Sequence, residues 1–186
     1  MQSHGAGFTL LELLVTIMVV AIGAAVAVPS FTHVLGNSRL AAYTNELSTA
    51  LALARSEAVK RNLPVGLCRS ANATASVPSC VSGTGTGGWE IGWIVFADVD
   101  HDGKYDNDKG DIVLHRRGAL SGGVTVTGAN NVTNRLVFTA RGILPAGMVS
   151  FTFKDGRTGG VRMICLPVTG RVRVAIPKNS ETPSCA

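Results

Sequence analysis

Between Phe8 and Val28 the chain reads FTLLELLVTIMVVAIGAAVAV, an apolar run broken by one charge, Glu12. A helix of about 20 such residues spans the hydrocarbon of a bilayer, and a helix apolar on every side has none to offer water. This segment therefore belongs in a membrane or among other apolar helices. An ordinary secretory signal differs, with a shorter apolar core followed by a small-x-small cleavage site. Glu12 adds a second constraint. A carboxylate at membrane depth is costly without a counter-charge, so its place predicts a positive partner inside a protein assembly.

The run follows a short polar leader, MQSHGAG. Across that boundary, Gly7-Phe8-Thr9-Leu10-Leu11-Glu12 resembles the type III signal of prepilins and pseudopilins. The resemblance implies cleavage between Gly7 and Phe8 by the prepilin peptidase, N-methylation of Phe8, and pairing of Glu12 with the N-terminal amine of a neighbouring subunit. Pro29 falls where that family carries a helix-bending proline. The leader contains His4 but no Lys or Arg, so it gives no positive-inside signal. Orientation follows from the resemblance, with leader cytoplasmic and head outside. The implied location is the bacterial inner membrane, single-pass with the head in the periplasm, then the pilus or cell surface after assembly.

Beyond Pro29, Leu40, Tyr43, Leu47, Leu51, Ala54 and Ala58 recur at spacings of three and four, the stripe of an amphipathic helix. Asn45, Thr49 and Ser56 lie off it. Continued from Phe8 to Arg61, such a helix is about 80 Å long. Pro29 and Gly36 are expected to bend or locally melt it, and Pro64 to end it. The expected organisation is leader 1–7, transmembrane assembly helix 8–29, amphipathic helix 30–62 and head 63–186.

After Pro64 the pattern changes to short β-branched runs between glycine-rich turns. Strands are predicted at Val65–Arg69, Trp89–Ala97, Asp111–Arg117, Val124–Thr127, Arg135–Ala140, Met148–Lys154, Val161–Leu166 and Arg171–Ile176. The fold class is α+β, a long helix packed on an antiparallel β-rich head, as in the type IV pilin fold. Four cysteines in a chain that leaves the cytoplasm suggest two disulfides. Of three pairings, Cys68–Cys80 with Cys165–Cys185 closes the shortest loops and is favoured.

The segment GWEIGWIVFADVDHDGKYDNDKGDIVLHRRG resembles the head of the GspH/FimT subgroup of minor pilins. The functions this implies are a minor type IV pilin that enters or primes a pilus, or a type II secretion pseudopilin. The implied partners are other pilin subunits, the prepilin peptidase and the inner membrane.

Charge is unevenly spread. Residues 1–89, 90–111 and 112–186 carry net +2, −5 and +8. The basic C-terminal part suggests a polyanion partner. Within it, Gly170-Arg171-Val172-Arg173 places two arginines on one face of a predicted strand, with Val172, Val174 and Ile176 on the other. Guanidinium groups so placed suit phosphates. The GRxR pattern resembles the tail motif of FimT-type pilins that bind DNA in natural transformation. It implies non-specific backbone contacts to double-stranded DNA from Arg171 and Arg173, with Gly170, Arg162 and Lys178 extending the site and Arg157 and Lys154 nearby. The competing reading is a charged edge strand that resists sheet-to-sheet aggregation, in a pilin that only assembles.

The acidic segment Asp98-Val99-Asp100-His101-Asp102-Gly103 begins as a calcium loop does. Its twelfth position is Lys109, where such a loop needs a bidentate Glu. No metal or other cofactor is assigned, and Asp98, Asp100 and Asp102 are kept as candidate calcium ligands. For catalysis the head offers only His101 and His115, His33 being on the helix. No nucleophile elbow, phosphate loop or HExxH is present, so no enzyme is expected.

Overall fold

The computed structural model describes residues 7–82, 88–129, 132, 134–176 and 184–185, apart from the side chains of 26–30. One helix, α1, runs unbroken over Leu10–Arg61. Its N-cap is Thr9, whose hydroxyl accepts the Glu12 N–H at 3.2 Å. This satisfies one of the orphan donors of a helix start. At the other end Asn62 takes the left-handed conformation (φ 54°), a common helix terminator, and the chain turns into the head at Pro64.

The two halves of α1 have different surroundings. From Phe8 to Ile22 every large apolar side chain is exposed. From Gly36 onward one stripe sinks into the head, and Leu40, Tyr43, Leu47, Leu51, Ala54 and Ala58 are all buried. Gly36 is helical and buried rather than a melted joint. A Cβ there would lie 2.5 Å from Thr158 Cγ2, so glycine permits the helix to approach this turn. Among the described residues no helix is long and apolar enough to cross a membrane. The apolar run of α1 continues through 26–30, whose side chains lie outside the description.

The head has two antiparallel sheets. Strands β1 (Val65–Arg69), β2 (Trp93–Ala97), β3 (Ile112–Arg117) and β5 (Arg135–Phe138) form the first, in the order β3-β2-β1-β5. Strands β4 (Val124–Ala129), β6 (Val149–Asp155), β7 (Val161–Leu166) and β8 (Arg173–Ala175) form the second, in the order β4-β6-β7-β8. The stripe of α1 joins the inner faces of both sheets in one core, with Leu67, Trp93, Phe138, Phe151 and Phe153 fully buried. The outer face of the first sheet is covered too. Cys68, Ile94 and Phe96 pack there with Ala73, Cys80 and Tyr105. Burial on both faces is why β1 and β2 are apolar without alternation.

The predicted strand over 89–97 is divided. Trp89–Ile91 is a 3-10 turn, and Gly92 (φ 115°) separates it from β2. Glu90 in that turn ties the sheets together, one carboxylate oxygen accepting the Gly88 N–H at 2.6 Å and the other the Val126 N–H at 2.8 Å. Disulfides join Cys68 to Cys80 and Cys165 to Cys185.

Candidate functional site

At the membrane-proximal end, Gly7 and Phe8 precede the helix outside any regular element, and Phe8 is 80% exposed. Glu12 lies in the first turn of α1 and is the one charge in its apolar N-terminal half. Among the described residues its carboxylate has no hydrogen-bond or ion-pair partner; only its N–H is engaged, by Thr9. A carboxylate so placed is open to a charge from another chain. Pro29 is within the helix.

The C-terminal arginines differ from the sequence expectation in one respect. The strand is Arg173–Ala175, and its pairing with β7 begins at Cys165↔Arg173. Arg171 precedes it. The cause is the preceding turn: the Gly170 N–H donates to the Pro167 carbonyl at 2.8 Å, and Gly170 has φ 71°. A Cβ on Gly170 would stand 2.6 Å from the Gly142 carbonyl oxygen, so both backbone angle and space require glycine. The turn brings Arg171 and Val172 against α1. There they line a groove of about 570 Å³ with Ala52, Arg55, Ser56, Val59 and Lys60.

Arg55 and Lys60 are thus companions of Arg171 that the sequence did not single out. Arg55 is held in place, its Nε donating to the Gly142 carbonyl at 3.2 Å. Lys60 lies 3.5 Å from Glu57 but keeps most of its side chain in solvent. Arg173 occupies the outer face of the second sheet, exposed. Arg162 stands opposite Phe153, on the sheet face that carries the core. By strand alternation it points away from Arg173, so the two do not form one surface. Lys154 shares the outer face with Arg173. Lys178 lies outside the described residues. Val174 and Ile176, expected on the face opposite the arginines, are 43% and 57% exposed.

The acidic loop is ordered by its own backbone. Asp98 accepts the Gly103 N–H at 2.9 Å, and Asp111 accepts those of Val99 and Asp106, each at 2.8 Å. The Lys109 ammonium sits among Asp102, Asp100 and Asp106 at 2.8, 2.9 and 3.1 Å. These contacts raise the Lys109 pKa, and the Lys109 hydrogen bonds lower those of Asp100 and Asp102. Asp102 is therefore engaged by an ammonium. Asp111, not selected from sequence, stands with Asp98 and Asp100 instead.

The family model described as type II transport protein GspH matches residues 43–170, and the prokaryotic N-terminal methylation motif matches residues 3–28. The chain belongs to the GspH family. Two crystal structures of the Pseudomonas aeruginosa type IV minor pilin FimU have the same fold. In one the TM-score is 0.56 at 20% identity, over 81% of this chain and 96% of that one. In the other it is 0.51 at 20% identity, over 77% and 95%. No curated protein sequence matches this chain. Family and fold are those of structural pilins, not enzymes. Membership of the GspH family, with its methylation motif, implies membrane anchoring, processing by prepilin peptidase and association with other pilins.

Proposed function

We propose that this GspH-family protein is a minor type IV pilin whose head captures double-stranded DNA for uptake. In this reading it begins as a single-pass protein of the bacterial inner membrane with its head in the periplasm. It then enters a pilus by packing its apolar half-helix among those of other subunits. Glu12 takes the N-terminal amine of a neighbour as its counter-ion, which sets the register of addition. A pair of charges removed from water gains only if both partners meet closely, so a misplaced subunit is penalised.

The observation that carries the DNA reading is the Gly170 turn. It sets Arg171 beside Arg55 and Lys60 of α1, while Arg173 stands exposed on the neighbouring strand. Three basic groups around one groove suit successive phosphates of a duplex, and Arg173 adds a basic group on the outer face of the second sheet. Phosphate contacts carry no sequence information, so binding in this reading is non-specific. The test is a gel-shift titration of the full-length protein in nonionic detergent with duplex DNA. Arg171→Ala with Arg173→Ala should weaken binding at least tenfold at low salt. Unchanged affinity rejects the tail as the site.

A second reading, a subunit of a type II secretion pseudopilus, draws on the family match to type II transport protein GspH over residues 43–170. The same titration separates the two, since a secretion subunit has no need of DNA.

A further inference from the structure

Asp98, just after β2, is 1% exposed. Its Oδ2 accepts the Gly103 N–H, but its Oδ1 is enclosed and has no hydrogen-bond partner among the described residues. A buried acceptor without a donor is among the costlier things a fold retains. This one does not stand alone. Oxygens of Asp98, Asp100 and Asp111 lie within 4.8 Å of one another. Asp111 is itself buried and is locked by the N–H groups of Val99 and Asp106. Of the three carboxylates, Lys109 reaches only Asp100, and its other contacts are to Asp102 and Asp106. Among the described residues, Asp98 and Asp111 therefore face each other with no cationic side chain bound to either.

We propose that Asp98, Asp100 and Asp111 are the protein ligands of a hard divalent cation of the calcium type, in a site beside the Lys109 network. Carboxylate oxygens alone favour calcium, magnesium or manganese over softer metals. Calcium fits best, because it accepts six to eight oxygens in irregular geometry and takes carbonyls and waters for the remainder. The ion would give Asp98 Oδ1 the partner that the described residues do not supply.

The site is not a copy of the twelve-residue calcium loop. There the ion is closed in by a carboxylate at the twelfth position. Here Lys109 fills that position and carries its own positive charge to the third, fifth and ninth. The ligand that completes the proposed site, Asp111, comes two residues later, after Gly110 (φ 90°).

The test uses the full-length protein in nonionic detergent, stripped with a chelator and titrated with calcium chloride by calorimetry and thermal melting. A single site with Kd on the order of 10⁻⁴–10⁻³ M is expected, as for other extracellular calcium modules. At a tenfold excess over Kd the Tm should rise by about 3–5 °C. Asp98→Asn should abolish the calcium response, yet melt higher than wild type in chelator, because the unpaired buried charge is gone. Should that variant fail to fold, Asp100→Asn, at an exposed position, supplies the comparison of calcium response alone. No heat and no Tm shift up to about 10 mM calcium, or an equal response from wild type and both variants, overturns the assignment.

Discussion

Arg39 on the helix and Asp155 at the end of β6 face each other at 3.8 Å, and Asp155 is completely buried. The same carboxylate accepts the N–H groups of Arg157 at 2.8 Å and Thr158 at 3.3 Å. It thereby shapes the β6–β7 turn and attaches that turn to α1. The Arg157 hydrogen bond is the largest influence lowering its pKa, with Thr158 and Arg39 adding to it. A carboxyl whose folded pKa lies below its unfolded value of about 3.9 stabilises the fold above that pH and stops doing so as pH falls through the folded value. Asp155→Asn should therefore cost about 1–3 kcal/mol at neutral pH. Urea titrations should show the gap between variant and wild type closing as the pH falls from about 3.9 through the lower folded value. A gap that persisted there would mean that packing, not charge, accounts for Asp155.

Close approach of helix and turn at Gly36 gives a second prediction. The methyl of Gly36→Ala would meet Thr158 Cγ2 at 2.5 Å and Oγ1 at 2.9 Å. Alanine is otherwise the better helix former, by about 1 kcal/mol. The expected result is a net loss of about 1–3 kcal/mol from overpacking. Gly36→Ala with Thr158→Ala should recover part of it, since both Thr158 atoms are removed while Asp155 Oδ2 stays at 3.0 Å. Denaturant midpoints of the two single variants and the double variant measure this coupling directly.

Strand β8 has three residues and one neighbour, so its position depends on the chain around it. The Cys165–Cys185 disulfide returns the C-terminal segment to β7 beside it, closing a sequence separation of 20 residues. Cys165→Ser with Cys185→Ser should lower stability by about 3 kcal/mol. Amide exchange should rise over 173–175 more than over β6 or β1. Uniform acceleration across the head would show instead that the crosslink acts on the whole fold.

Local pattern and long-range packing divide what the sequence reveals here. The stripe from Leu40 to Ala58 is legible because helical spacing places those residues on one line, and all of them are buried. Strands β1 and β7 are legible to the residue, because their short, mostly apolar runs are bounded by turn signals. The predicted strand at 89–97 fails at Gly92, whose positive φ no alternation rule anticipates. In the tail, the arginines were assigned to one strand face, but the Gly170 turn turns Arg171 toward the helix. Nothing near Arg55 or Lys60 in sequence tells which loop will come to rest on them; that contact closes more than 100 residues of chain. Asp111 was missed for a related reason. It reads as the first residue of a strand, and only the hairpin return places it opposite Asp98.

Glu12 carries the assembly prediction. Glu12→Ala removes a charge that has no partner within the described chain, so the isolated subunit should keep its circular dichroism and melting temperature. In a filament the same change leaves a neighbour's amine without its counter-ion, at a cost of about 3–5 kcal/mol when the pair is dry. Incorporation into sheared pili should then fall by at least 100-fold relative to wild type. Normal incorporation would remove Glu12 from the account of register. A variant that melted early would place its role in the subunit itself.

Salt dependence examines the groove apart from the tail. Each phosphate neutralised on duplex DNA contributes about −0.9 to the slope of log K against log salt. Lys60 suits this measurement, because its side chain is 76% exposed and its one partner, Glu57, also has Arg61 within reach. Lys60→Ala should leave the fold intact and make the slope shallower by about 1, uniformly across DNA sequences. Arg171→Ala should do the same, and the two together should remove about 2 if each meets its own phosphate. A slope that moved with Arg171 but not with Lys60 would confine the contact to the tail and exclude the helix side of the groove. A slope that moved with neither would leave the groove without a nucleic-acid role, whatever the total affinity of the head.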